Sequence, residues 1–212
     1  MTYISDSYQY TLPDLTSLLK IFGEKKQFLD NIHWVAYNRL LQYLYDTYLT
    51  NINKVVVFDR DWYYHSVVFA NLDLHIHFDI EYVHKIETLQ IFSDRIVSGS
   101  FFTSSVDNSY ASAFYHTVSK EDLSFNYENC NEPVSLILFP CSTEIPYLVI
   151  DGNHRITAHK QKNKTINIHI IDALKYSNIF YTEFDYAIYL LMNYLQTAMF
   201  ESNSQYRSKV LI

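Results

Sequence analysis

The stretch Tyr147-Leu-Val-Ile-Asp151-Gly-Asn-His-Arg155-Ile-Thr-Ala-His159 decides the fold of this chain. Its apolar beginning, residues 147–150, predicts a short buried strand, and the residues after Gly152 predict a short helix. A helix that starts directly after a strand presents free backbone N–H groups and the positive end of its dipole, which together favour an anion. Arg155 and His154 would add side-chain donors at the same place.

Glycine is scarce in this chain, which makes the one at position 152 informative. The 212 residues include 3 glycines, against an average usage of about 7%. A glycine in this turn indicates a backbone dihedral that a Cβ would oppose, or a ligand close to the main chain. Asp-Gly is also a common turn dipeptide, and Asp is a good helix N-cap. An ordinary strand-to-helix turn therefore stays open as an alternative.

The composition predicts one domain, residues 1–212, with a large aromatic core. Hydrophobic residues make up 49% of the chain, which contains 20 tyrosines and 14 phenylalanines. A buried tyrosine ring still needs a partner for its hydroxyl, so we expect a partly polar core or an interface. The net charge of −7 argues against a polyanion binder, and nucleic acid is not an expected partner.

Neither the cysteines nor the apolar runs indicate export or a membrane. Cys130 and Cys141 lack metal-type spacing, and reduced thiols are favoured over a single disulfide. The first residues lack the basic and apolar segments of a signal peptide. No run approaches the ~18 apolar residues of a membrane span. We therefore expect a cytoplasmic protein with no membrane contact.

Apolar spacing predicts helices at both ends and strands between them. We expect an N-terminal helical part at residues 1–50, with an amphipathic helix near 25–49, and a C-terminal helical part at 173–212. The mixed α/β part between them, 54–172, is expected to hold strands at 55–58, 62–69, 72–80, 133–139, 147–150 and 165–171. It should also hold a helix at 81–98, a loop at 101–112 and a helical turn opened by a capping box at 119–122. The expected fold class is α+β.

The alternating strand near residues 72–80 places two histidines on one face. His75 and His77 are separated by one residue, so their side chains point the same way from a strand. A His-x-His pair of this kind can bind a metal. No third ligand is identifiable from the sequence, and a solvated sheet face is the favoured interpretation.

Three segments taken in order resemble the core of the ParB/sulfiredoxin-like superfamily. These are Glu132-Pro-Val-Ser-Leu-Ile-Leu, the Asp-Gly-Asn-His-Arg strand and helix, and Thr165-Ile-Asn-Ile-His-Ile-Ile. The superfamily pattern is a strand, a hairpin turn, a strand ending in Asp-Gly-x-x-Arg, a helix and a returning strand. The resemblance covers about residues 130–172 and implies a small mixed sheet with this core at 115–172, flanked by amphipathic helices.

The resemblance implies a site for a nucleotide phosphate at the turn. Gly152, Asn153, His154, Arg155 and Thr157 would bind ATP or another nucleotide with Mg²⁺. Asp151 would hold the metal or act as base toward an acceptor hydroxyl, and His154 would shuttle a proton. Kinase-like members also use an upstream acidic residue, for which there are four candidates: Asp94, Asp107, Glu121 and Glu132.

Departures from the family narrow the expected chemistry. Position 153 is Asn where sulfinic acid reductases carry a reactive cysteine, and the chain lacks the basic character of the DNA-segregating members. An ATP-dependent phosphotransferase or nucleotide hydrolase acting on a small molecule or protein remains. The alternative is a non-catalytic, nucleotide-responsive module. Its protein partner, or a second copy in a homodimer, would use the aromatic-rich helices near 25–49 and 183–200.

Overall fold

The computed structural model describes residues 10, 12–52, 56, 58–69, 72–86, 89–97, 99–104, 110–119, 131–140 and 145–202. For residues 89–95, 97, 104, 110 and 199–202 the description covers the backbone alone. Helices and strands are both present, so the expected α+β class is confirmed. None of the described helices has both the length and the apolar content that crossing a membrane requires.

The chain divides into two compact units. The barrel unit is Ile80–Ile179, and the helical unit combines Thr2–Asp79 with Phe180–Ile212. The segment expected as one mixed part, 54–172, is therefore shared between the two units. Its first hairpin belongs with the terminal helices, because one of its strands packs against the C-terminal helix.

The helical unit holds three helices and one hairpin. Asp14 and Asp30 each accept a hydrogen bond from a first-turn N–H, so both N-terminal helices begin at side-chain caps. The elements of this unit are α1 (Leu15–Glu24), α2 (Asn31–Asn51), β1 (Trp62–Phe69), β2 (Leu72–Asp79) and α5 (Glu183–Ser202). The antiparallel β1–β2 pair confirms the two strands expected here, and α2 and α5 confirm the two helices, although α2 begins at Asn31 rather than near residue 25.

The barrel unit is a closed ring of six strands with a helix joining two of them. The ring order is β3–β4–β5–β7–β6–β8, and β8 pairs back to β3. Its elements are α3 (Ile80–Val83), β3 (Leu89–Val97), β4 (Ser100–Ser104), β5 (Tyr110–Phe114), β6 (Val134–Leu138), β7 (Tyr147–Asp151), α4 (Asn153–Gln161) and β8 (Ile166–Ile171). Two neighbouring pairs, β5–β7 and β6–β8, are parallel, and the others are antiparallel.

One apolar cluster from the strands and α4 forms the core of the barrel unit. Ile156 brings α4 into this cluster, so the helix is fixed by burial of its inner face. Asn163, with φ 51°, lies in the turn between α4 and β8. The cluster consists of Phe101, Ala113, Tyr115, Val134, Leu136, Val149, Ile156, Ile166 and Ile168.

Two expectations for residues 81–112 are wrong. The helix expected at 81–98 is one turn, α3, followed by strand β3, and the loop expected at 101–112 falls largely on β4 and β5. Both errors have one physical cause. Apolar residues three or four apart also occur in strands, and here pairing of β3 with both β4 and β8 supplies backbone hydrogen bonds that the sequence does not reveal.

The histidine face of β2 also differs from expectation. His77 and Asp79 are buried, and the ring Nδ1 and the backbone N–H of His77 both contact Asp185 Oδ1, at 2.9 and 3.0 Å. The face is therefore covered by α5 rather than solvated at this end. The contact with the Asp185 carboxylate gives the polar ring of His77 a hydrogen-bonding partner, which allows this side chain to lie in the core.

Two of the sequence predictions cannot be compared with the structure. Of the strand expected at 55–58, residues 55 and 57 lie outside the described residues. The capping box expected at 119–122 lies mostly outside them as well.

Strand β6 offers a matched test of the barrel core. Leu136 is fully buried, whereas Leu138 on the same strand is 46% exposed. Leu136→Ala should lower the free energy of unfolding by about 2–5 kcal/mol, and Leu138→Ala by about 1 kcal/mol or less. Urea unfolding followed by circular dichroism measures both. Equal losses for the two variants would contradict the assigned core.

Candidate functional site

The turn from β7 to α4 requires glycine at position 152. Gly152 has φ 98° and caps α4 without a side chain. A Cβ there would lie 2.7 Å from Val134 Cγ2 and 3.1 Å from two guanidinium nitrogens of Arg155. The dihedral that opposes a Cβ, one of the two reasons expected from the sequence, is therefore present.

A register shift brings the end of β7 to this turn. β7 advances two residues, from Val149 to Asp151, while its partner β6 moves one residue, from Leu136 to Ser135. Irregularities of this kind re-aim side chains at the rims of barrels. Asp151 consequently becomes the last residue of β7 and directly precedes the glycine.

Arg155 lies inside the protein rather than in solvent. Its guanidinium is almost fully buried and donates through Nη1 to Glu132 Oε2 at 3.0 Å and through Nη2 to Asp151 Oδ2 at 2.5 Å. The two carboxylates neutralise a charge that would otherwise be costly to bury. The arginine expected to neutralise a bound phosphate therefore pairs with the chain's own acids in this state.

Asp151 has a second partner, His84, from the loop after α3. His84 Nε2 lies 3.0 Å from Asp151 Oδ2, and the imidazole is 56% exposed. The hydrogen bond to Asp151 raises the pKa of His84 above its ordinary value. Burial alone would raise the pKa of Asp151, but His84 and Arg155 outweigh burial and hold it below its usual range. The pair is an ionised carboxylate beside an imidazole that protonates readily.

Asn153 and Thr157, two of the expected phosphate-binding residues, hold a neighbouring segment. Asn153 Oδ1 accepts the backbone N–H of His116 at 2.8 Å, and Thr157 Oγ1 accepts that of Val118 at 3.3 Å. The Thr157 hydroxyl in turn donates to the Asn153 carbonyl. His154, in the first turn of α4, is half-buried. The first two turns of α4 thus anchor the chain at 116–118.

Glu132 is the one acidic candidate that the structure brings to the turn. Its carboxylate contacts Arg155, while its side chain is 77% exposed. Of the other three, Asp94 is described in its backbone alone, and residues 107 and 121 lie outside the described residues. Glu132, Asp151 and Arg155 therefore form one charged cluster with His84.

The described residues do not form a complete metal cage. Among them, no group of three or more His, Cys, Asp or Glu side chains is arranged to hold an ion. Asp151 Oδ2 is already an acceptor for two donors. A metal at Asp151 would need most of its ligands from a bound molecule or from water, which is how Mg²⁺ is often held.

The sequence gives no indication of His84. It lies outside the resembling segment and far from Asp151 along the chain, and the strand that follows it, β3, packs beside α4 in the barrel unit. A single histidine without a motif carries no recognisable signal. Glu132 was already a candidate because it starts the first resembling segment.

Comparison of this chain with protein-family models, with curated proteins and with solved structures finds no match.

Gly99 and Gly152 both have positive φ, so comparing alanine substitutions at the two positions measures the cost of the close Cβ contact at Gly152. Gly152→Ala and Gly99→Ala both place a side chain in the left-handed region, which costs about 1–2 kcal/mol. A Cβ at Gly99 would meet nothing within 4 Å, whereas one at Gly152 would collide with Val134. Gly152→Ala should therefore lose about 1–3 kcal/mol more, measured as the difference in urea unfolding free energies. Equal losses would show that the close contact at Gly152 costs nothing.

The contact with Asp151 should control the protonation of His84. In Asp151→Asn the pKa of His84 should fall toward its ordinary value near ~6.5, followed by NMR titration of the ring. His169 is the control, because burial alone lowers its pKa and the substitution should leave it unchanged. A His84 pKa that stays raised would contradict the pairing.

The same contact predicts how stability depends on pH. A raised pKa for His84 means that its contribution is complete below the unfolded-state value and is lost as pH rises through the folded-state value. A lowered pKa for Asp151 means that its contribution is complete above the unfolded-state value and is lost as pH falls through the folded-state value. The stability lost in Asp151→Asn should therefore be largest between about pH 4 and 6.5.

Proposed function

We propose that the chain binds the phosphate of a nucleotide at the turn between β7 and α4. The observation that supports this proposal is a buried guanidinium, Arg155, at the uncapped start of α4, held on one side by the exposed carboxylate of Glu132. A helix N-terminus with a cation beside it attracts anions. The resemblance to the ParB/sulfiredoxin-like superfamily implies the same ligand at the same turn.

The phosphate would bind by replacing the carboxylate of Glu132 at the guanidinium of Arg155. The Glu132 carboxylate of this ion pair is 77% exposed, so it is rehydrated when it leaves Arg155, and its loss costs less than the loss of a buried partner would. A phosphate binds a guanidinium with short, charge-assisted hydrogen bonds, so it would displace Glu132 from Nη1. Asp151 would keep Nη2 and hold the guanidinium in position.

The site has groups suited to phosphotransfer or nucleotide hydrolysis. With Asp151 behind it, the exposed imidazole of His84 would take a proton from an acceptor hydroxyl or from water. Mg²⁺ would be held by the phosphates, by water and by Asp151, and would neutralise charge on the transferred group. This arrangement favours an ATP-dependent phosphotransferase or nucleotide hydrolase as the first candidate.

A specific contact also favours the second candidate, a nucleotide-responsive module without turnover. Asn153 accepts the His116 N–H directly beside the first turn of α4. A ligand at that turn would compete for or reorient the Asn153 amide and so shift the segment at 115–119. Occupancy of the site would then be transmitted to a partner through this segment.

Thermal-shift measurements with ATP, ADP, CTP, GTP and inorganic phosphate, with and without Mg²⁺, test the binding. A ligand that binds the native state raises the melting temperature. Glu132→Gln should strengthen nucleotide binding by up to about fivefold, equivalent to about 1 kcal/mol, measured by calorimetry. Glu24→Gln, the same charge change on exposed α1 in the helical unit, is the control and should change nothing.

Three outcomes separate the candidates. If no nucleotide or phosphate raises the melting temperature, the proposal is withdrawn. Nucleotide binding that Glu132→Gln leaves unchanged would contradict the proposed displacement of Glu132 from Arg155. Conversion of the nucleoside triphosphate to the diphosphate that disappears in His84→Gln while binding persists would identify the enzyme, and binding without any conversion of the nucleotide would identify the module.

A further inference from the structure

Helix α2 carries apolar side chains on both of its faces. Its inner face packs in the helical unit through Tyr37, Leu44, Thr47, Tyr48 and Asn51. Its outer face carries an apolar stripe in two parts, Ile32 (82% exposed) with Val35, and Tyr45 with Leu49 and Ile52, and the exposed polar residues Arg39, Gln42 and Asp46 lie between the two parts. A surface helix normally has polar residues opposite its core face, and contiguous exposed apolar residues mark interaction surfaces.

Four residues of the outer stripe are spaced symmetrically in the sequence about Gln42, whereas the counterpart of Tyr45 is Arg39. Val35 and Leu49 lie seven residues before and after Gln42, and Ile32 and Ile52 lie ten residues before and after it. A two-fold axis that runs between two copies of α2, perpendicular to both and level with Gln42, therefore brings Val35 level with Leu49 of the second copy. Ile32 and Ile52 lie about 160° apart around the helix, so they flank this contact on opposite sides. A surface that matches itself in this way forms an isologous interface.

The charges on this face select an antiparallel arrangement. Arg39 lies three residues before Gln42 and Asp46 lies four residues after it. About the same axis, Asp46 of the second copy comes level with residue 38, one helical rise of about 1.5 Å from Arg39. In a parallel pair in register, Arg39 would face Arg39 and Asp46 would face Asp46, which is repulsive.

We propose that the outer face of α2 is a self-association surface, on which a second copy of this chain packs its own α2 antiparallel. The agreement of the apolar positions and the charges with one axis favours a second copy over an unrelated partner. The interface uses α2 alone and is independent of the ligand proposed at the β7–α4 turn.

Sedimentation of the full chain from about 1 to 300 µM covers the range for interfaces of modest area. The wild type should be dimeric at the upper end of this range. Leu49→Glu, which places a charge in the middle of the stripe, should weaken the dimer by at least about tenfold. Val68→Glu is the matched control, because Val68 is a 73% exposed valine on β1, outside the stripe, and this variant should dimerise as the wild type does.

A charge exchange tests the antiparallel register. Arg39→Asp and Asp46→Arg should each weaken the dimer, and the double variant should restore it, because the pair is re-formed with reversed sign. Both positions are exposed, and circular dichroism checks that α2 is intact. A monomeric wild type at every concentration, a dimer insensitive to Leu49→Glu, or a double variant that fails to recover would each overturn the proposal.

Discussion

The ion pairs of Arg155 are the constraint on which the β7–α4 turn depends. A guanidinium that is almost fully buried has to be neutralised where it lies, and Asp151 and Glu132 do this from two sides. The guanidinium also occupies the space into which a Cβ at position 152 would project. Aspartate, glycine and arginine are therefore required together, because each fixes the position of the next.

Asp151, Gly152 and Arg155 therefore have a structural role that does not depend on a ligand. Asp151 is held by Arg155 and His84, so its carboxylate is oriented by the protein's own side chains. Preorganised charge of this kind is what a site for charged ligands needs. Glu132 differs from Asp151 because its side chain is mostly in solvent. The site thus combines one fixed carboxylate with one that is free to be exchanged.

The sequence predicted well where local patterns and burial agree. The apolar run before Asp151, the short helix after Gly152 and the returning strand β8 were anticipated, because each forms a continuous buried element. Residues 89–97, 101–104 and 110–112 were misassigned, since their strands form by pairing with other segments of the chain, including the distant β8. The buried state of Arg155 could not be read from the sequence either. Its two carboxylate partners are recognisable only when the end of β7 and Glu132, two residues before β6, are placed side by side.

The closure of the barrel by β3 and β8 has a consequence for how the protein is made. These strands come from opposite ends of the barrel unit, with Leu89 opposite Ile170, so the ring cannot close until nearly all of that unit has left the ribosome. Pairing over such a distance carries a large entropic penalty and slows folding. Until β8 is in place, its two neighbours in the ring, β3 and β6, each present an edge capable of adding a strand from another molecule. Nascent chains would therefore be most prone to aggregation in the interval before β8 is synthesised.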